Sequence, residues 1–252
     1  MANLLREERL DRIVEKLEQD QRLSSTDIME KFGVSEGTVR RDLNELEERG
    51  LLKKVHGGAV PRPDAPKAYE NRKEFVSERK EKLTRKALPL LKNGQLIFID
   101  GGSTNWNLAR QFPPNLSAVV FTNSLPVAQT LLNHANIELH ILGGRVFKES
   151  QVTEGSHVVE SIRYLQADIC FVGIRSIHAE KGLSTLDFSE ARVKQAMVEN
   201  SNQVVTMATI DKLNTADHYK ICETNQLDIL ITEEHTPSEK MNSFHNLGID
   251  IW

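Results

Sequence analysis

Three stretches of this chain carry side chains whose types and spacing suit chemistry. In the first, Ser35-Glu36-Gly37-Thr38-Val39-Arg40-Arg41-Asp42-Leu43-Asn44, hydroxyls and adjacent cations stand among apolar residues at helical spacing. With Val34, Val39, Leu43 and Leu46 on the inner face, Ser35, Glu36, Thr38, Arg41 and Asn44 project outward and Arg40 lies at the edge. Hydroxyls and arginines on the first half of such a helix can reach base edges and phosphates in a DNA major groove. Just beyond, Lys53, Lys54 and His56 adjoin a Gly57-Gly58 pair, and no acid occurs from Arg49 to Arg62. A basic hairpin with its tight turn at the two glycines would suit contact with a nucleic-acid backbone. A solvated charged helix is the ordinary alternative, and an Arg-Arg pair alone would not displace it. The order of short helices, glycine turn, cationic helix and basic hairpin does.

The second stretch is Asp100-Gly101-Gly102-Ser103-Thr104, between a buried-type strand and a helix. Glycines let the backbone approach a ligand, while hydroxyls and free N–H groups at a helix N-terminus favour phosphate. Thr122, Asn123 and Ser124 end a further strand in the same manner, although Ser124 can equally cap the helix after it. Ligands of open α/β sheets bind outside such strand ends. The Leu142-Gly143-Gly144 strand end reads equally well as a structural turn. The third stretch places Glu190 and Lys194 four residues apart on one helix, ordinarily a surface ion pair. A turn at Gly182-Leu183-Ser184-Thr185 would aim that helix toward the strand ends, so both residues are candidates to line a pocket.

The elements that must position these groups fall into two blocks. Helices over 4–17, from near Ser24, and from Ser35 to about Arg49 precede the hairpin, with Ser24 and Asp27 as a capping pair and Gly33 and Gly50 as stops. Three prolines within 61–66 mark a linker over 61–74. From residue 75 a helical approach leads into short apolar strands, with helical patterns at 105–112, 125–133 and 188–199 between them. That alternation predicts an α/β domain over 75–252 with a largely parallel sheet, beside a small N-terminal domain over 1–60.

Bulk properties narrow the function. The chain has 252 residues, 39% hydrophobic and 27% charged, within the usual range for a soluble globular protein. It has no apolar run of about eighteen residues and no signal-type N-terminus, and so predicts neither a bilayer span nor export. Cys170 and Cys222 lie far apart in apolar surroundings, which points to a reducing cytoplasm and to neither a disulfide framework nor a cysteine metal site. At a net charge of −4, cations for DNA must be concentrated locally.

The N-terminal block resembles the DeoR family of bacterial transcriptional regulators. Arg9, Ile13 and Leu17 carry the likeness, with Val34-Ser35, Thr38-Val39-Arg40-Arg41-Asp42-Leu43, Glu47, Gly50 and His56-Gly57-Gly58-Ala59. The resemblance implies a winged helix-turn-helix that binds double-stranded operator DNA through 35–44 and the wing, usually repressing carbohydrate-catabolic genes. It also implies that the α/β region is similar in fold to ribose-5-phosphate isomerase and binds a phosphorylated sugar as effector. Residues 100–104, 122–124, Glu190, Lys194 and Lys212 fall on family positions. Arg175 stands where an aspartate is usual, and Thr209-Ile210-Asp211-Lys212 replaces Asp-Ser-Ser-Lys. These departures point to a more acidic effector or to another hydroxyl pattern, with Arg175 among the candidate contacts.

The alternative is a sugar-phosphate isomerase with an attached DNA-binding module. Isomerisation needs a placed acid and base; Glu190 could be the base, but Gly173-Ile174-Arg175 lacks the acids that the isomerase-like fold adds there. Binding without catalysis, metal or cofactor is therefore the expectation. One small winged helix reads few base pairs, so the chain is expected to act as a homo-oligomer, at least a dimer, with its contacts in the α/β domain.

Overall fold

A computed structural model describes residues 6–20, 22–48, 51–60, 78–245 and 247–252. The chain divides into two units, Met1–Phe75 and Val76–Trp252. The expected linker at 61–74 lies outside the described residues, as do the expected helix starts at residues 4 and 75 and the stop at Gly50.

In the first unit, α1 (Arg6–Asp20), β1 (Leu23–Ser24), α2 (Ser25–Phe32), α3 (Glu36–Glu48), β2 (Lys53–Val55) and β3 (Gly58–Val60) follow one another. The strands pair antiparallel in the order β1-β3-β2. Leu10, Ile13, Val14 and Leu17 of α1 pack with Ile28, Val39, Leu43, Leu46 and the buried Leu51, Leu52 and Ala59. The Ser24–Asp27 capping box opens α2, and Gly33 closes it at φ 64°. α1 runs past the expected end at Leu17 into the polar break, where Lys16 holds Asp20 at 2.9 Å one turn on. The wing turn also differs from expectation. His56 and Gly57 form it, with Gly57 at φ 79°, while Gly58 pairs with Val55 inside the sheet. A Cβ on Gly58 would lie 2.0 Å from the Leu23 carbonyl oxygen, so this glycine serves the close approach of β1.

The second unit opens with α4 (Glu78–Ala87) and a 3-10 turn at Leu88–Leu90. Then come β4 (Leu96–Ile99), α5 (Ser103–Arg110), β5 (Ala118–Thr122), α6 (Leu125–Leu131) and β6 (Ile137–Ile141). A hairpin of β7 (Arg145–Phe147) and β8 (Val152–Glu154) precedes α7 (Ser156–Arg163) and β9 (Ile169–Phe171). The rest comprises β10 (Ser176–His178), β11 (Gly182–Thr185), α8 (Phe188–Glu199), β12 (Val204–Met207), β13 (Tyr219–Cys222), β14 (Ile229–Ile231), α9 (Ser238–Met241) and β15 (Asp250–Ile251).

Seven strands form one sheet in the order β15-β14-β12-β9-β4-β5-β6, every pairing parallel. Alternate residues feed opposite faces. Ile97, Ile99, Ile169 and Phe171 pack with Leu83, Leu108 and Val127 from α4, α5 and α6. Phe98, Cys170, Val204 and Leu230 pack with Val158 and Ile162 of α7 and Val193 and Met197 of α8. Because both faces are covered, the strands read as continuous apolar runs. From β4 the chain winds outward through β5 and β6 and then returns to place β9 on β4's other side. The C-terminal ends of β4 and β9 therefore flank a topological switch point, where such sheets open a crevice.

Gly182–Thr185, expected as a turn, is instead strand β11, buried between β10 and β13. Antiparallel partners on both sides satisfy its backbone. α5 begins at Ser103, two residues before the expected start, and α6 ends at Leu131. Among the described residues no helix is long and apolar enough to cross a membrane.

Candidate functional site

In the first unit Ser35 caps α3: its Oγ accepts the Thr38 N–H at 3.3 Å and lies 3.0 Å from the Thr38 hydroxyl. Ser35, Glu36, Arg40 and Arg41 are exposed, and Thr38 and Asn44 are partly so. Arg41 Nε donates to the Gly37 carbonyl at 3.1 Å, which lays its side chain along the helix's first turn. Lys54 joins wing to helix, its Nζ donating to Asn44 Oδ1 and its backbone N–H to Glu47 Oε1 at 2.8 Å. Lys53 and His56 are exposed. Every nominated residue of this face is thus at least partly accessible, and Asn44 and Lys54 are engaged with each other.

Asp42, the last residue of Arg-Arg-Asp, turns inward. It is 1% exposed and receives Arg9 Nε at 2.7 Å and a terminal guanidinium nitrogen at 3.2 Å. The bond to Asp42 raises the Arg9 pKa further, against the opposing effect of burial. This buried pair clamps α1 to α3 and sets which way the two arginines before Asp42 face.

In the second unit the switch point is built around Asp100, which is fully buried. Its Oδ2 accepts the Gly173 N–H at 2.8 Å and also the Lys194 ammonium, itself 6% exposed. Glu190 and Lys194 therefore do not form the surface pair expected by default. Glu190 accepts from the Thr185 hydroxyl at 3.4 Å, and its N–H is capped by Asp187 at 2.9 Å. Asn105 Nδ2 ties the turn to β9 through the carbonyls of Asp100 (3.0 Å) and Phe171 (2.8 Å). A Cβ on Gly173 would lie 2.2 Å from the Gly101 oxygen, and one on Gly101 would lie 2.3 Å from Val152 Cγ1. These contacts hold the Asp100–Gly102 turn against β8 and the end of β9.

α5 starts at this turn. Gly102 occupies its cap position at φ 119°, and no side chain caps the helix. The first bond within it runs from the Trp106 N–H to the Gly102 oxygen at 2.9 Å. Ser103 is 7% exposed and accepts from Lys80 of α4 at 3.2 Å, while Thr104 is partly exposed. A helix N-terminus of this kind, with Lys80 at Ser103, is suited to an anion.

The other nominated residues divide by how their polar groups are used. The Thr122 hydroxyl donates to the Ile99 carbonyl at 2.5 Å and accepts the Ser124 N–H at 3.0 Å. Ser124 Oγ accepts from the Val127 N–H at 3.4 Å and caps α6. Both are buried structural groups. Asn123, 2% exposed, donates to the Thr153 carbonyl at 3.3 Å, but its buried Oδ1 has no partner among the described residues. Arg175 faces Asp217 at 3.4 Å. Lys212 donates to the Ile174 carbonyl at 2.7 Å, supporting the loop after β9. Asp211 lies 3.5 Å from Arg79.

Two residues here escape sequence reasoning. Glu154 is 1% exposed with Oε2 unpartnered among the described residues, and the QVTEG segment carrying it has too little periodicity to read as a strand. Lys80 sits in the charged run ERKEKLTRK, which reads as a solvated helix face. No group of three or more His, Cys, Asp or Glu side chains among the described residues is arranged to hold a metal ion.

Comparison with known proteins bears on the whole chain. Residues 9–62 match the family described as DeoR-like helix-turn-helix domain, and residues 76–234 match DeoR C terminal sensor domain. The HTH-type transcriptional repressor GlcR of Bacillus subtilis (strain 168) is 32% identical over 232 residues, spanning 91% of this chain and 89% of that protein. The glycerol-3-phosphate regulon repressor of Escherichia coli (strain K12) is 29% identical over 242 residues, spanning 95% and 96%. Among solved structures, ribose 5-phosphate isomerase A of Methanocaldococcus jannaschii superposes with a TM-score of 0.38 at 19% identity, over 53% of this chain and 52% of that one.

Proposed function

Because the chain belongs to the DeoR family of helix-turn-helix transcriptional regulators, we propose that it represses carbohydrate-catabolic genes and that a phosphorylated sugar controls it. The observation that carries the effector reading is the uncapped N-terminus of α5 at the switch point, with Lys80 and Lys194 beside it. The N–H groups of Ser103, Thr104 and Asn105 precede the first intrahelical bond and are available to phosphate oxygens. The name of the E. coli relative, a glycerol-3-phosphate regulon repressor, agrees with a phosphorylated metabolite.

On the DNA side, α3 is the recognition helix. Ser35, Glu36, Thr38, Arg40, Arg41 and Asn44 face the groove, and Lys53, Lys54 and His56 of the wing contact the backbone. The regulator works in the cytoplasm as a homo-oligomer on repeated half-sites, since one winged helix reads too few base pairs to find a site alone. It binds its effector without turning it over. Arg175 is matched by Asp217, Glu190 accepts from Thr185 and Asp100 is locked by Lys194, which engages the charged groups beside the turn after β9.

Thermal melts of the full chain against phosphorylated sugars, their unphosphorylated parents and inorganic phosphate test this. A ligand at a hundredfold its Kd stabilises by about 2.7 kcal/mol, a rise of roughly 5–10 °C for a unit of this size. Parents that shift the melt as far as their phosphates would sink the phosphate reading. Interconversion of pentose or hexose phosphates by the protein would establish the enzyme instead. Light scattering reads the oligomeric state, and a monomer at micromolar concentration would contradict the assembly.

A further inference from the structure

At the sheet's C-terminal edge three buried oxygens lack a hydrogen-bond partner among the described residues: Asp100 Oδ1, Asn123 Oδ1 and Glu154 Oε2. All three are acceptors when the carboxyls are ionised. Native proteins leave few such groups unsatisfied, and here three belong to neighbouring segments. Gly101, next to Asp100, abuts the Val152 side chain. Glu154 lies two residues beyond Val152 on β8 and so shares its face. Asn123 pairs with β8 directly, its backbone oxygen taking the Thr153 N–H at 2.7 Å and its amide donating to the Thr153 carbonyl.

α8 approaches the same place from the other side. Lys194 reaches Asp100, and Glu190 lies one turn earlier on that face. β8, which carries Glu154, packs against α8, and burial, then the charge of Asp187, raise the Glu154 pKa against the pull of Arg145. Arg145 holds the other Glu154 oxygen from an exposed position. The cation that would have welcomed an acidic effector, Arg175, is already paired with Asp217.

We infer that Glu154, with Asn123 and Asp100, forms a hydroxyl-reading end of the effector site, one that accepts from an uncharged polyol terminus and rejects a carboxylate or second phosphate. The inference rests on the phosphorylated-sugar reading above and deepens it. Hydroxyls supply the donors that the three oxygens lack. An anionic terminus supplies none and meets buried negative charge. Glu154 is then the specificity-determining residue, and the phosphate end at α5 does not involve it.

Calorimetric titration of the full chain is the test, with three- to six-carbon polyol phosphates, the matching phospho-aldonates, propyl phosphate and the free polyols as probes. The best polyol phosphate should bind at least tenfold more tightly than propyl phosphate and than its phospho-aldonate. In Glu154→Gln that advantage should fall about tenfold, with propyl phosphate affinity unchanged. Asn123→Leu gives a second reading and should erode the same advantage. Phospho-aldonates binding as well as polyol phosphates would overturn the inference, as would equal losses for every phosphate in both folded variants. Free polyols binding as tightly as their phosphates would support the hydroxyl end and defeat the phosphate reading. Binding of no probe at millimolar concentration would overturn both.

Discussion

Replacing Lys194 with Met keeps the length of the side chain and deletes its charge. Asp100, fully buried, would then keep one bond, from the Gly173 N–H at 2.8 Å. Breaking one side of a buried ion pair costs about 3–5 kcal/mol, because the remaining charge is left uncompensated. Against a total stability of roughly 5–15 kcal/mol that is severe, lowering the melting point by roughly 6–20 °C for a unit of this size. Asp100→Asn with Lys194→Met removes both charges, and its side-chain oxygen can still accept from Gly173. The double variant should recover most of the loss, a large departure from additivity in a double-mutant cycle. Urea denaturation of the full chain followed by tryptophan fluorescence reads this unit alone, since the two tryptophans, Trp106 and Trp252, both lie in it. Once refolded, the double variant should no longer respond to effector. A single-variant loss below about 1 kcal/mol, with simple additivity in the double, would refute the buried pair.

Gly58→Ala should loosen the wing, because its Cβ would lie 2.0 Å from the Leu23 oxygen. An overpacking loss of about 1–3 kcal/mol predicts roughly 5–150-fold less exchange protection for the Ser25 amide, which donates to the Gly57 carbonyl at 2.7 Å, and unchanged protection would be inconsistent with so close an approach. Glu154 is held above the ordinary carboxylate range by burial, then by Asp187, against Arg145. Its contribution to stability is therefore full below the unfolded pKa and lost as pH rises through the folded one. Wild type should accordingly lose stability relative to Glu154→Gln on going from acid to neutral pH, and a relative gain would reverse the assignment. Lys53→Ala should make the salt dependence of binding to random duplex shallower by about 0.9 for each phosphate that the lysine neutralises. Arg41→Ala should instead narrow the gap between a selected site and random DNA by about 1–3 kcal/mol; equal losses on both would assign Arg41 to the backbone. Burial and the nearby charge of Asp100 push the Cys170 thiol up, and burial takes Cys222 to about 12. Neither should react with an aromatic disulfide at pH 8 until the chain unfolds, and prompt reaction would place them at the surface.

The sequence was legible where one period or one apolar run decides the outcome. α8 lies at the expected 188–199, and Ser24, Asp27 and Gly33 bound α2 as their chemistry requires. It was not legible where tertiary pairing decides. Gly182–Thr185 has the letters of a turn and becomes a strand because β10 and β13 flank it. The β7–β8 hairpin, which delivers Glu154, holds too few residues to show a period. Local spacing placed Glu190 and Lys194 four apart on one helix face, but gave no sign of Asp100, ninety-four residues from Lys194, which takes the ammonium.

Both units place a buried acid next to the groups proposed to meet a ligand. Asp42 follows Arg40 and Arg41 and is locked by Arg9; Asp100 precedes Gly101, Gly102 and Ser103 and is locked by Lys194. A carboxylate held by a buried cation has few low-energy orientations, because any rotation leaves both charges unpaired in an apolar surround. Its chain neighbours inherit that restriction: the arginines must face outward and the α5 N–H groups must face the crevice. Motif reading treats Arg-Arg-Asp and Asp-Gly-Gly-Ser-Thr as if every polar letter met the ligand. In Arg-Arg-Asp the acid instead sets the direction of the others, both its oxygens being taken by Arg9, so replacing it would abolish binding of a ligand it need not touch. Function lost on substituting Asp42 therefore reports on α1–α3 packing. A substitution at Arg41, exposed on α3, is expected to report on DNA. The two are separated by whether restoring the clamp with an apolar pair, Arg9→Met with Asp42→Leu, restores binding. It should for the acid's role in packing, since a buried ion pair exchanged for apolar residues of similar volume often leaves stability unchanged or raised. Failure of that pair to bind DNA while remaining folded would mean that Asp42 or Arg9 meets the DNA itself.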